Sequence, residues 1–115
     1  GLTTSGYDAA YKTAKELFRA RRDIDSVFTP DAFAALAVYN AIIENGLRVP
    51  EDVSLICFAN LIPPSALKLE LTCIEQTIGE IVQHTVDELF RKMTGNHIDK
   101  DILVGTKLIT RKTTR

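Results

Sequence analysis

The feature that most constrains the fold is a helix that is apolar on nearly every side and lies between two short strands. Over residues 32–43 the only strongly polar side chain is Asn40, so this helix is not limited to one apolar stripe. Residues 26–29 precede it. Residues 53–58 follow it and form a nearly continuous apolar run, which is typical of strands covered on both faces. The pattern predicts a right-handed βαβ unit with two parallel strands.

A helix of this kind needs cover on two sides, and a sheet supplies only one of them. We therefore expect a second molecule to cover the other side, so that the chain forms a homodimer. The predicted dimer contacts are Ala35, Val38, Tyr39 and Ile42 on the helix, with Leu67 in the loop after the second strand.

Helical periodicity appears in two further segments. Residues 7–21 place apolar side chains on one side of a helix, and Thr4 or Ser5 is the expected cap of its first turn. A third helix ends at Gly95, where glycine adopts a left-handed backbone at little cost. Its apolar stripe consists of Ile78, Ile81, Val82, Val86, Leu89, Phe90 and Met93.

Short strands account for most of the remaining chain. Residues 71–74 are predicted to form a strand between a proline-containing loop and the third helix. Two more strands are expected at 102–104 and 107–110, before a basic tail. The alternation of strands and helices predicts an α/β fold.

The size and charge of the chain limit its partners. Its 115 residues suit one main core, and 14 basic against 15 acidic residues give a net charge of -1. This balance offers no electrostatic reason to bind nucleic acid or an acidic membrane surface. No apolar run approaches the ~18 residues that cross a bilayer, and residues 1–7 lack the regions of a signal peptide. We expect a cytoplasmic protein with no membrane partner.

Side chains that carry metal or catalytic chemistry are few and scattered. Cys57 and Cys73 form neither a disulfide framework nor a CxxC motif, and each is expected to be a buried thiol. His84 and His97 have no second ligand at metal-binding spacing. The six glycines form no phosphate-binding loop. We expect no metal, no cofactor and no catalytic residue.

The carboxyl ends of the predicted parallel strands are the expected place of a ligand site. Ligands of open α/β sheets bind at this edge, because side chains from neighbouring strands converge there. Pro30 and Asp31 follow the first strand, and Ala59 and Asn60 follow the second. Asp31 has two possible roles, since an aspartate at this position either caps the next helix or contacts a ligand.

Four stretches of sequence together carry a family resemblance. They read Val-Phe-Thr-Pro-Asp at 27–31, Glu-Asn-Gly-Leu-Arg-Val-Pro-Glu-Asp-Val-Ser at 44–54, Leu-Thr-Cys-Ile-Glu-Gln at 71–76 and Arg-Lys-Thr-Thr at 111–114. In this order and at these distances they resemble the lactose and galactose repressor (LacI/GalR) family of bacterial transcription regulators. The resemblance runs over essentially the whole chain.

The resemblance implies a three-layer, parallel-sheet lobe of the type I periplasmic-binding-protein-like fold, of which this chain is a C-terminal fragment. Residues 1–60 and 106–115 would belong to the second lobe, and residues 61–105 would pack on the first. The third helix would expose its apolar stripe where the first lobe is absent. For that case we expect rearrangement, swapping with a neighbour or association through this face.

The resemblance also implies a function without catalysis. A small-molecule effector, sugar-like or another metabolite, would bind between the lobes of a homodimer and shift its conformations. Operator DNA would be contacted only through an N-terminal headpiece that these residues do not include. Two alternatives stay open: a periplasmic-type solute-binding protein, and a small α/β enzyme that uses Cys57 or Asp31.

The family's effector contacts map to the ends of the strands. Pro30 stands where the family commonly has an effector-binding Asn, and Ala59 where it commonly has an Asp. A pocket selects polyols by paired hydrogen bonds that these two residues cannot make, so ordinary sugar recognition is not expected. The expected effector contacts are Pro30, Asp31, Phe58, Ala59, Asn60 and Gln76.

Overall fold

A computed structural model describes residues 2–58, 66, 68–96 and 99–115 of the chain. Within these residues it contains three helices and four strands, in an alternating α/β order. They are α1 (Leu2–Ala20), β1 (Ser26–Thr29), α2 (Ala32–Glu44), β2 (Ser54–Phe58), β3 (Thr72–Gln76), α3 (Ile78–Met93) and β4 (Thr106–Ile109). The predicted strand at 102–104 is absent, because these described residues have no strand pairing.

The four strands form one sheet in the order β1-β2-β3-β4. β1 is parallel to β2, and β2 is parallel to β3, so the predicted pair of parallel strands is confirmed. The register places Thr29 opposite Cys57, and Cys57 opposite Cys73. The carboxyl ends of these three strands therefore lie at the same edge of the sheet.

α2 begins where the sequence predicts, at residue 32. The Asp31 side chain caps its first turn by accepting a hydrogen bond from the Ala34 N–H at 2.8 Å. Gly46 follows the helix with φ of 75°, a left-handed backbone that glycine adopts without the steric cost of a Cβ. The helix thus spans one residue more than the predicted 32–43.

The side of α2 that the sheet leaves open is covered in part by α1 of the same chain, not by a second molecule. α1 packs along α2, and together with the sheet it buries one broad arc of the helix. Ala35, Val38 and Ile42 lie in this core at 0–8% exposure. These three residues are therefore not available to a second copy, contrary to the dimer contacts expected from the sequence. Of that set Tyr39 is partly exposed, and Leu67 lies outside the described residues.

Polar contacts fix α1 along the rim of α2. Lys15 forms an ion pair with Glu44 at 2.7 Å, and the Tyr11 hydroxyl donates a hydrogen bond to the same carboxylate. The hydrogen bond from Lys15 is the main cause of the lowered pKa of Glu44. One turn away, the Asn40 amide donates to the Tyr7 hydroxyl at 2.7 Å. Asn40, the single strongly polar residue between positions 32 and 43, thus takes part in the contact between the helices.

α1 is longer than the sequence indicated. It begins at Leu2, so residues 4 and 5 lie inside the helix and not at the capping position assigned to them. Phe18, at 1% exposure, is its main contribution to the core, beside Ala14. Burial of a phenylalanine side chain is worth about 1.5–3 kcal/mol, which is large for a domain of this size.

The C-terminal segment joins the beginnings of β2 and β3. The Thr113 hydroxyl donates to the Leu55 carbonyl at 2.7 Å and accepts from the Thr72 N–H at 2.9 Å. The Leu55 N–H donates to the Thr113 carbonyl at 2.7 Å. Thr113 is 1% exposed, so these bonds satisfy polar groups that water does not reach.

Arg111 extends this contact along β3. Its backbone N–H donates to the Thr72 hydroxyl at 2.9 Å, and its guanidinium donates to the Leu71 carbonyl at 2.9 Å. The guanidinium also reaches Cys73 Sγ at 3.1 Å and Glu75 Oε1 at 3.4 Å. The Arg-Lys-Thr-Thr stretch therefore has a structural role, because its hydrogen bonds connect β2 with β3.

The loop between α2 and β2 is held by one bidentate pair. The Arg48 guanidinium donates to both carboxylate oxygens of Asp52, at 2.9 and 3.0 Å, and the Arg48 N–H adds a third bond. These hydrogen bonds lower the pKa of Asp52 to about 2. Arg48 and Asp52 bond to each other inside the loop, so this part of the family-like sequence also has a structural role.

The chain divides into two compact units. The first contains residues 1–75 and 108–115 and holds the core just described. The second contains residues 76–107, with α3 as its helix. No described residue of α3 is buried. The assignment of residues 61–105 to a surface that packs on another lobe stays a prediction.

We expect Thr113→Val to lower the free energy of unfolding by about 2–4 kcal/mol, because it leaves the Leu55 carbonyl and the Thr72 N–H buried without a partner. Denaturant unfolding followed by circular dichroism measures this change. Thr110→Val is the matched control, because Thr110 is exposed. Equal stability of the two variants would contradict the role assigned to the Thr113 hydroxyl.

Candidate functional site

The carboxyl ends of β1 and β2 bring together two of the predicted site residues. Thr29 is in register with Cys57, so Pro30 and Phe58 come next on neighbouring strands. Pro30 is exposed and Phe58 is partly exposed, which leaves both side chains accessible at this edge. Ala59 and Asn60 lie outside the described residues. Gln76 is the last residue of β3 and the first of the second unit, and it is partly exposed.

Asp31 has the capping role that the sequence left open. Its Oδ1 accepts from the Ala34 N–H, and its backbone carbonyl accepts from the Ala35 N–H at 3.0 Å. The Thr29 hydroxyl lies 3.3 Å from the same carbonyl. The Asp31 side chain remains exposed, so capping does not remove the carboxylate from solvent. A ligand contact by Asp31 stays a prediction.

A groove that the sequence did not predict lies beside these residues. It has a volume of about 610 Å³ and is lined by α1, β1 and the beginning of α2. Most of its walls are apolar, with Phe28 and Phe33 exposed and Leu17 on the α1 side. Thr29 and Asp31 are among its polar lining residues. Periodicity gave no signal for the groove, because its walls come from three different elements of the fold.

The cysteines lie in the same row of the sheet, one position before this edge. Cys57 and Cys73 are reduced and have no exposed surface. Burial raises the pKa of the Cys57 thiol to about 11, and this disfavours the thiolate that a nucleophile requires. The structure therefore gives no support to the alternative of an enzyme that uses Cys57.

Metal-binding groups do not converge within the described ranges 2–58, 66, 68–96 and 99–115. No three His, Cys, Asp or Glu side chains there are placed to hold a metal ion. His84 is exposed on α3, and His97 falls outside these ranges. No helix in the same ranges is long and apolar enough to cross a bilayer.

Comparison with known protein families identifies the class of domain. Residues 3–114 match the family described as periplasmic binding protein-like domain. The chain belongs to this family, in agreement with its parallel sheet and its accessible strand ends.

Two proteins that are similar to this chain in sequence are transcription regulators. The chain is 28% identical over 102 residues to the HTH-type transcriptional regulator MalR of Clostridium butyricum, covering 89% of this chain and 30% of MalR. It is 26% identical over 107 residues to a lactose operon repressor of Rhizobium radiobacter, covering 90% of this chain and 92% of that protein. The chain thus spans less than a third of the length of MalR.

Solved structures agree with this result. A dimeric Lac repressor with an 11-residue C-terminal deletion superposes with a TM-score of 0.84 at 25% identity, over 94% of this chain and 40% of that one. A LacI family regulator of Arthrobacter sp., solved in complex with lactose, gives 0.84 at 21% identity over 95% of this chain and 42% of that one. The second likeness shows the fold alone.

The chain matches LacI/GalR-type regulators in sequence and fold, as its sequence motifs indicated. The predicted type I periplasmic-binding-protein-like fold is confirmed. The relatives are transcriptional regulators, in agreement with the prediction of a function without catalysis.

We expect Asp31→Asn to leave stability within about 0.5 kcal/mol of the original chain, because asparagine caps a helix as well as aspartate does. Asp31→Ala should cost about 1 kcal/mol through loss of the cap. Denaturant unfolding of both variants tests this. If both variants were equally destabilised, the charge of Asp31 and not its capping bond would be the stabilising feature.

Proposed function

We propose that this chain is the effector-sensing part of a cytoplasmic LacI/GalR-type transcription regulator. Support comes mainly from the edge formed by the carboxyl ends of β1 and β2, where Pro30 and Phe58 are accessible next to Asp31. This is the place where open α/β sheets bind small molecules. The regulator names of the relatives favour this function over that of a periplasmic solute carrier.

The effector proposed for this site is less polar than a free sugar. Pro30 has no side-chain hydrogen-bonding group, and Phe58 offers an aromatic surface. Asp31 supplies one exposed carboxylate beside them. A ligand with an apolar or aromatic body and one hydrogen-bond donor fits this combination. Ala59, Asn60 and Gln76 complete the proposed set.

The mechanism that we propose is a shift in the population of lobe conformations. Effector bound between two lobes favours one degree of closure, and the dimer passes this preference to DNA-binding headpieces. Coupling of this kind amounts to about 1–3 kcal/mol in typical allosteric proteins. Operator DNA is contacted through the headpiece of the complete regulator, whereas residues 61–105 pack on its first lobe.

The homodimer contact that we propose lies on the outward face of α2. The burial of Ala35, Val38 and Ile42 leaves the other arc of the helix at the surface. Phe33 and Ile43 are exposed on that arc, and Leu36 and Tyr39 are partly exposed. Four large apolar or aromatic side chains on one helix face suit an isologous contact between two copies.

Thermal denaturation with chemically distinct probes tests the effector site. The probes are maltose, lactose, a hexose phosphate, adenine and benzoate. A ligand that prefers the native state raises the denaturation midpoint by mass action. We expect an aromatic probe to raise it most, and the rise to be lost in Phe58→Ala.

Two variants separate binding from stability in this experiment. Asp31→Asn keeps the cap and removes the charge, so loss of the probe effect in this variant assigns a ligand contact to the carboxylate. Thr110→Val, remote in sequence from the site, should keep the full effect. A midpoint that no probe raises would count against effector binding by this chain.

We expect Tyr39→Asp to lower the mass of the oligomer in solution, because it places a charge at the centre of the α2 surface. Light scattering coupled to size-exclusion chromatography measures this mass. Glu51→Gln, on an exposed loop residue, is the control and should leave the mass unchanged. An unchanged mass in Tyr39→Asp would exclude α2 as the dimer contact.

A further inference from the structure

Two cysteines of the first unit stand side by side on neighbouring strands. The parallel register of β2 and β3 pairs Cys57 with Cys73. Side chains alternate between the two faces of a strand, so residues paired in this way point to the same face of the sheet. Both residues are free thiols and both belong to the buried core of the first unit. Their surroundings are therefore described elements of this chain, and the function proposed above does not use the pair.

The spacing of neighbouring strands suits a bond between the two sulfurs. Strands in a sheet lie about 4.8 Å apart, and a disulfide joins residues whose Cα atoms are about 4.4–6.8 Å apart. Cys57 and Cys73 therefore meet this requirement without unfolding of the sheet. The Cβ separation that disulfides prefer, about 3.5–4.5 Å, is slightly shorter than the strand spacing. A bond between Cys57 and Cys73 is thus somewhat strained, and strained disulfides are the ones that are easily reduced again.

One of the two sulfurs contacts charged groups that favour its reaction. The Arg111 guanidinium donates to Cys73 Sγ at 3.1 Å, and the Cys73 thiol donates to Glu75 Oε1 at 3.9 Å. A neighbouring guanidinium stabilises the anionic form of a sulfur, which is the form that reacts with oxidants. Burial, by contrast, raises the pKa of the Cys57 thiol to about 11. These surroundings favour Cys73 over Cys57 as the first site of attack.

We propose that Cys57 and Cys73 form a reversible disulfide when the protein meets hydrogen peroxide. The Cys73 thiolate attacks one peroxide oxygen, the O–O bond breaks, and the products are a Cys73 sulfenic acid and a hydroxide that takes up the proton released by Cys73. The Cys57 sulfur then attacks the sulfenic sulfur, the S–O bond breaks, and the leaving hydroxide takes up the Cys57 proton. Two thiols and one peroxide thus give one disulfide and two waters. A small dithiol reverses the reaction by exchange.

The cover over Cys73 consists in part of side chains that themselves reach the surface. The side chains of Arg111 and Glu75 are 22% and 43% exposed, and they pair with each other at 3.4 Å. Ion pairs open to solvent contribute little to stability, so rotation of these two side chains gives a small oxidant a path to the sulfur without unfolding of the core. Cys57 directly precedes Phe58, so the bond fixes β2 against β3 beside the candidate ligand site. The inference itself does not depend on the proposed function.

The test counts the free thiols of the folded 115-residue chain before and after treatment with hydrogen peroxide. Iodoacetamide labels the remaining thiols after unfolding in urea, and intact mass spectrometry counts the labels. We expect two labels before treatment, none after it, and two again once dithiothreitol has been added. Electrophoresis without reductant should show a single chain, because the bond lies within one molecule. Circular dichroism checks that the treated chain is still folded.

Three variants complete the experiment. Cys57→Ser and Cys73→Ser each leave one thiol, and dimedone, which traps sulfenic acids, should react faster with the thiol left by Cys57→Ser. Thr110→Val keeps both cysteines and should oxidise like the original chain. The proposal is overturned by two free thiols after a treatment that oxidises the unfolded chain, by a bond only between chains, or by a sulfinic acid at Cys73 beside a free Cys57. Faster trapping of Cys57 would overturn the role assigned to Arg111.

Discussion

The packing of α1 against α2 is the contact on which the rest of the first unit depends. α2 is apolar around most of its circumference, so it is stable only where other apolar surfaces cover a broad arc of it. α1 provides one of them, and the pairs formed by Lys15 with Glu44 and Tyr7 with Asn40 fix how the helices align. Because α2 connects β1 to β2, its position also determines that these strands run parallel and end at one edge.

Two of the family-like stretches, at 44–54 and 111–114, maintain the scaffold. Arg48 and Asp52 hold a loop, and Arg111 and Thr113 bind the beginnings of β2 and β3 together. In the function that we propose, recognition depends instead on the side chains that follow the strands. This separation explains how a proline at position 30 can alter the chemistry of the edge without disturbing the family fold.

The two units differ in how much of their apolar side-chain surface they bury. The first unit buries its large side chains, including Phe18, Ile42 and Leu55, within its own elements. The second has one amphipathic helix and a short accompanying segment, and this is too little chain to enclose an apolar face. α3 is therefore well defined by its sequence pattern, although none of its described residues is buried.

The sequence by itself determined the order of the elements, the parallel strands and the edge at which Pro30, Asp31 and Phe58 come close together, because these follow from local periodicity and from the short βαβ connection. It did not determine which surface covers α2. The apolar pattern shows that a side chain must leave water, but not which element receives it. Only the tertiary structure decided that α1 and the sheet together bury Ala35, Val38 and Ile42, because these contacts join different elements. Only the tertiary structure revealed the groove beside β1 and the hydrogen bonds by which Thr113 joins β2 to β3.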